Sequence, residues 1–263
     1  MRTKGKPKAL LIGIAFIACG WWFMMGCSAI KESKTPYCAI FVLFDISGST
    51  AVPEIRKRYF NDFQKILAAL RGGELLMGDV ITENTLVTLS LPINESFPAY
   101  NPLVDNPLTH KRKMEKAIKI AQEKAKKLIF ESPSRPQTDL LNAFQAADKV
   151  FNGERCKAVP HKILVVFSDM IEQSSRYDFT RENLTEKRIQ EIIQTLKRQK
   201  QLPNLQGVKV WVAGATAAVK GGLKPEKIYQ IQNFWLAYFA ACGADLTKER
   251  YFTTLINFEL PAK

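Results

Sequence analysis

The stretch Phe41-Val42-Leu43-Phe44-Asp45-Ile46-Ser47-Gly48-Ser49-Thr50 constrains this chain more than any other. A continuous apolar run reads as a strand buried on both faces. It ends on an acid, and Gly48 with its small polar neighbours reads as a turn. In open α/β sheets the loop after a strand's carboxyl end is where ligands bind. Asp45, Ser47 and Ser49 recur at every second position, so a curled loop turns three oxygens towards one point. A carboxylate with two hydroxyls is a hard, oxygen-only set. It suits Mg²⁺ or Mn²⁺ rather than zinc, which prefers His and Cys.

Two later segments offer further oxygens. Residues 136–144, Pro-Gln-Thr-Asp-Leu-Leu-Asn-Ala-Phe, read as a loop running into a helix that Thr138 opens. Residues 163–169, Ile-Leu-Val-Val-Phe-Ser-Asp, read as a second apolar strand ending at Asp169. Together the three pieces resemble the von Willebrand factor A (VWA) domain and its metal-ion-dependent adhesion site. Asp45, Ser47 and Ser49 match that family's Asp-x-Ser-x-Ser motif, Thr138 its helix-opening Thr, and Asp169 its later Asp. The resemblance covers roughly residues 37–256 and departs at Met170, where the family often has Gly; there it is expected to crowd the rim of the site.

The resemblance implies that Ser47, Ser49 and Thr138 bind the ion directly or nearly so, and Asp45 and Asp169 largely through water. Mg²⁺ holds its waters firmly and demands octahedral geometry. With neutral groups closest, the ion stays electrophilic, and an open position can take an Asp or Glu from a protein partner. That is binding chemistry without a nucleophile or general base, so no enzyme activity is expected. Arg176, Tyr177 and Arg181 fall in a loop at the metal end and are expected to line its rim.

The chain begins with a basic segment, Arg2 to Lys8, followed by an almost wholly apolar run over 9–26. This is the pattern of a secretory leader. Gly26-Cys27-Ser28 resembles a lipobox, with Cys27 as the lipidated residue, although Met24 and Met25 match it poorly. The run is also close to the ~17-residue lower limit of a spanning helix, so an uncleaved single-pass anchor stays open. Either way the basic end stays inside and the domain faces the periplasm or exterior, tethered to the cell membrane or outer membrane. By resemblance to lipoproteins of two-membrane bacteria, Ser28 permits outer-membrane sorting. The expected organisation is a leader or anchor over 1–27, a linker over 28–37, and a VWA-like domain over 38–257. That domain would carry an inserted loop and basic helix at about 92–132.

A hydrophobic fraction of 46% is enough for a sizeable core, and the formal charge of +13 favours acidic partners or anionic membrane. The basic residues are spread along helices without interleaved exposed aromatics, which argues against nucleic acid. No Cys-x-x-C occurs, so zinc is unsupported. An exported domain can form one disulfide among Cys38, Cys156 and Cys242, with Cys38–Cys156 the pair to test, or keep three buried thiols.

Periodicity predicts helices over 53–70, 111–130, 138–151, 185–201 and 225–241. It predicts strands over 38–45, 78–81 with 85–89, 162–168, 208–213 and 250–255, and a loop over 92–108. Strands alternating with helices give an α/β fold: a doubly wound, mainly parallel sheet with helices on both faces. Two alternatives stand beside the adhesion reading. One is a haloacid-dehalogenase-like phosphatase, whose Asp-x-Asp-Gly-Thr motif Asp45-Ile46-Ser47-Gly48-Ser49 superficially resembles. Ser47 stands where that chemistry needs a proton-donating acid. The other is a tethered scaffold with a vestigial metal site.

Overall fold

The computed structural model describes residues 35–215 and 223–263, and Thr35–Lys263 form one compact unit. The expected leader, lipobox, Cys27 and most of the linker lie outside the described residues. Among the described residues no helix is long and apolar enough to cross a membrane.

The element order is β1 (Cys38–Asp45), α1 (Pro53–Ala69), β2 (Glu74–Ile81), α2 (Thr85–Thr88), β3 (Ile93–Ser96), α3 (Pro107–Phe130), α4 (Leu140–Phe151), β4 (His161–Phe167), α5 (Glu186–Arg198), β5 (Val208–Ala213), α6 (Pro225–Ala241) and β6 (Tyr251–Phe252). One six-stranded sheet runs β3-β2-β1-β4-β5-β6. β1 pairs parallel with both β2 and β4, and β3 lies antiparallel on β2. This is the doubly wound, mainly parallel α/β sheet that the alternation of strands and helices predicts.

β1 shows why the sheet sits at the centre. Its side chains alternate between two cores. Phe41 and Leu43 enter one with α4, α5 and α6, while Ile40, Val42 and Phe44 enter the other with α1 and α3. Phe44 stacks on Phe167 of β4 with ring centroids 5.2 Å apart. Burial of each such side chain stabilises the fold by about 1.5–3 kcal/mol. Both cores close within residues 38–260, so Thr35–Lys263 supply every core side chain described.

The two faces explain where a ligand can enter. The chain leaves β1 for α1 on one face and returns at β2. It leaves β4 for α5 on the other face and returns at β5. β1 and β4 are neighbours, so their outgoing loops diverge and open a crevice between them, the topological switch point of the sheet.

Several predicted elements differ. Residues 85–88 form a helical turn, not a strand. Thr85 Oγ1 accepts from Thr82 N at 2.9 Å, and Asn142 Oδ1 of α4 accepts from Leu86 N at 2.7 Å, so side chains capture the backbone that a ladder would need. The predicted loop over 92–108 contains β3, whose Ile93 sits so close over Gly78 that a Cβ there would meet it at 3.0 Å. α3 begins at Pro107 because Asn106 caps it, accepting from Leu108 N and Thr109 N. The helix that Thr138 was expected to open begins at Leu140, with Asp139 as its cap. α3 packs into the domain: Ala121, Ala125 and Ile129 are core, and Arg56 of α1 donates to Ile129 O at 2.9 Å. The domain also runs past 257, since Phe258 packs 5.5 Å from Trp211 and Leu260 is buried.

Among the described residues, Cys38, Cys156 and Cys242 are buried free thiols. Cys38 lies in the α1/α3 core and Cys156 in the opposite one, so the sheet itself separates the pair proposed for a disulfide.

Candidate metal centre

Asp45 is the last residue of β1, and Asp169 follows β4 by two residues. Parallel pairing of Phe44 with Phe167 brings the two strand ends side by side. Both carboxylates are buried. Asp45 Oδ1 accepts from Ser47 N at 2.9 Å, which curls the loop. Its Oδ2 accepts from Ser168 Oγ at 2.6 Å, which ties the two strand ends together. Thr50 Oγ1 donates back to Asp45 O at 2.8 Å and closes the turn. Ser47 Oγ and Ser49 Oγ are left facing each other at 3.1 Å.

Asp169 is the anomaly. Its Oδ1 accepts from Ile171 N at 3.0 Å, but its Oδ2 is buried without a hydrogen-bond partner. A buried orphaned carboxylate oxygen costs about 1–3 kcal/mol or more. Burial, then the Asp45 charge beside it, push the Asp169 carboxyl up to about 7, with the nearby Ser49 hydroxyl and the Ile171 amide holding it back. Burial also raises Asp45, held back by its bonds from Ser168 and Ser47. Two adjacent carboxylates cannot both ionise cheaply in a dry site without a cation.

Thr138 is buried on the third loop. Gly48 N donates to Arg135 O at 3.0 Å and Arg135 N to Ile46 O at 3.2 Å, so the segment leading to Thr138 runs along the serine loop. The Thr138 backbone is pinned to Gln173 in both directions, at 3.1 and 2.9 Å. Asp45, Ser47, Ser49 and Asp169 are thus drawn into one cluster, and Thr138 is fixed on the neighbouring loop. Among the described residues no three His, Cys, Asp or Glu side chains form a metal-binding group. The donor set here is two carboxylates supplemented by hydroxyls. Such a set with an unspent carboxylate oxygen fits a hard divalent cation.

The rim expectation needs correction in part. Tyr177 is buried, with its ring 6.5 Å from Phe179, and presents no aromatic surface to a partner. Arg181 is exposed and pairs with Asp178 at 3.3 Å. Arg176 is exposed and bonds Gln201 beyond the end of α5, lining a small cleft with Asp139, Asn142 and Ser174. Met170 does not crowd the rim either. Its φ is 62°, and this left-handed turn drives the side chain into the core, while its carbonyl accepts from Trp235 Nε1 at 2.8 Å.

Sequence reasoning missed three groups around the site. Ser168 bridges the strands to Asp45 across 123 residues of sequence, a contact visible only once the register is known. The Tyr59 hydroxyl is buried and unpartnered, and both Asp45 and Asp169 bear on it. A Cβ at Gly214 would meet that hydroxyl at 2.7 Å and Ser168 O at 2.8 Å, which is why a residue without one stands there. Glu172 is wholly buried, and its Oε2 accepts from Leu140 N and Leu141 N at 2.8 and 3.2 Å, holding the start of α4 just beyond Thr138. Burial, then the Asp139 charge, push its carboxyl up to about 8. Its position three residues after Asp169 is the only signal in the sequence.

No family model matches the chain, and no curated protein matches it. Among solved structures, a von Willebrand factor type A protein from Catenulispora acidiphila aligns with a TM-score of 0.41 and 13% identity, over 80% of this chain and 43% of that one. The chain therefore spans less than half the length of that structure. Manganese-loaded TRAP protein of Plasmodium vivax aligns with a TM-score of 0.35 and 13% identity, over 76% of this chain and 74% of that one. At such scores the reading of the site rests on this chain's own residues.

Proposed function

We propose that this is a VWA-like domain that binds a protein partner through a divalent cation, Mg²⁺ or Mn²⁺, held by Asp45, Ser47, Ser49, Thr138 and Asp169. The observation that carries this reading is the buried, unpartnered Oδ2 of Asp169 beside the second buried carboxylate of Asp45. A cation would balance both charges and use that oxygen. When bound it would supply an electrophilic position for an Asp or Glu of the partner. The chain's own residues hold the ligands in place. Ser168 and the Ser47 amide orient Asp45, the Ile171 amide orients Asp169, and the Gln173 backbone fixes Thr138. The role is binding, not catalysis. The apolar leader supports a tether to the cell membrane or outer membrane, with the domain facing the periplasm or exterior.

The test is retention from solubilised envelope by immobilised protein in Mg²⁺ and in EDTA, beside Thr138→Ala. A protein retained in Mg²⁺ and lost in both EDTA and the variant is expected. Retention indifferent to EDTA would move the interface away from the ion and leave the site vestigial. Phosphate release that depends on Asp45 would replace binding by the phosphatase reading.

A further inference from the structure

The end of the sheet remote from the metal centre carries a surface that the proposed function does not use. Leu103, Val104 and Leu108 are 92%, 79% and 69% exposed, three large apolar side chains within six positions. They stand on the turn before α3 and on its first turn. Immediately after them Lys111, Arg112, Lys113 and Lys116 are all exposed. Along α3 eight lysines and arginines face two glutamates. The acids near the tip are Asp105, which accepts from Asn101 N at 2.7 Å, and Glu115. Apolar residues clustered at an exposed tip mark an interaction site rather than ordinary surface scatter.

The tip is held firmly and its place in the fold is defined. His110 Nε2 lies 3.0 Å from Pro98 O, and its ring packs 5.1 Å from Tyr100. Phe97 O accepts from Gly73 N at 2.8 Å, and Gly73 O accepts from Tyr37 N at 3.0 Å. The tip therefore neighbours the point where the chain enters β1. Asp45 stands at the other end of that strand, about 23 Å away at the usual strand rise.

We propose that this tip rests on an anionic bilayer. Leu103, Val104 and Leu108 would enter the interface, and Lys111, Arg112, Lys113 and Lys116 would meet anionic headgroups. An apolar wedge skirted by cations is complementary to a surface that is anionic outside and apolar just beneath. A purely acidic protein surface would satisfy the lysines but leave Leu103 and Val104 in water. Contact at this end leaves the carboxyl end of the sheet facing away from the bilayer. The inference does not depend on the metal site.

The experiment uses residues 35–263, which contain both cores, with phosphatidylcholine vesicles with and without phosphatidylglycerol. Sedimentation with the anionic vesicles only, weakened by added salt, is expected. Lys111→Gln/Arg112→Gln/Lys113→Gln should cut partitioning about a hundredfold, at about fivefold for each basic residue near the surface. Leu103→Ser/Val104→Ser/Leu108→Ser should abolish what remains above phosphatidylcholine. All six side chains are exposed, so melting temperatures should not move, and Asp169→Asn should bind vesicles like the parent. Absence of a preference for phosphatidylglycerol, or binding indifferent to the serine substitutions, overturns the proposal. Capture on polyglutamate but not on vesicles overturns it in favour of an acidic protein.

Discussion

Two buried aspartates, on β2 and just beyond β4, the strands on either side of β1, have opposite fates. Asp79 of β2 spends both oxygens: Oδ1 accepts from Val80 N at 2.8 Å, and Oδ2 from Ser90 N and Leu91 N at 2.8 and 2.9 Å. Asp169, beyond β4, keeps Oδ2 buried and unspent next to Asp45. The first acid organises a loop. The second is organised by its loop and left with bonding capacity. Burial of a carboxylate alone does not mark a site, nor does an oxygen in reserve, which Glu74 and Glu172 also keep; Asp169 differs in standing beside the second buried carboxylate of Asp45.

The contrast can be broken most forcefully at Asp79. Asp79→Ala strands three backbone N–H groups and should cost about 3–5 kcal/mol in chemical denaturation, equally in EDTA and in Mg²⁺. A loss that appears only in Mg²⁺ would erase the distinction between the two acids. Next in size is the ion itself. At a hundredfold excess over the parent's Kd, Mg²⁺ or Mn²⁺ should stabilise the parent by about 2.7 kcal/mol and Asp169→Asn by about half of that or less. A melting temperature that rises equally in both would place the ion elsewhere.

Glu172 sharpens the comparison through pH. Its folded carboxyl is raised to about 8 by burial, above an unfolded value of about 4.3. The folded state then holds the extra proton between those limits. The stability this contributes is complete below pH 4 and is lost as pH rises through 8. Glu172→Gln should flatten that decline and stabilise the metal-free protein at pH 8 by on the order of 1–2 kcal/mol. A slope unchanged in the variant would assign it to Asp169 or another group. Smallest in stability is Thr138→Ala, which should shift the melting temperature of the metal-free protein by no more than about 2 °C while at least halving the ion's effect. Here a collapse of the fold would make Thr138 structural.

Much of this site is written in the chain because its ligands close runs that also specify strands. Asp45 and Asp169 end apolar segments whose burial fixes their place at the carboxyl edge of the sheet. The supporting shell is not written there. Ser168 reaches Asp45 only through the pairing of β1 with β4. Tyr59 reaches both acids from the opposite core. Tyr177 was misread because an alternating polar loop gives no sign that one of its rings turns inward. The turn over 85–88 escaped prediction because a side chain of α4, far away in sequence, decides it. Met170 escaped for a simpler reason: its left-handed backbone converts a position expected at the rim into core.

The most direct test of the central claim is Mn²⁺ titrated into residues 35–263, followed by the loss of the free-ion paramagnetic resonance signal. One ion per chain should bind, Mg²⁺ should displace it, and Asp169→Asn and Thr138→Ala should each weaken it by about tenfold or more. Absence of binding, or binding that Asp169→Asn leaves unchanged, would contradict the assignment of the unspent oxygen to a metal.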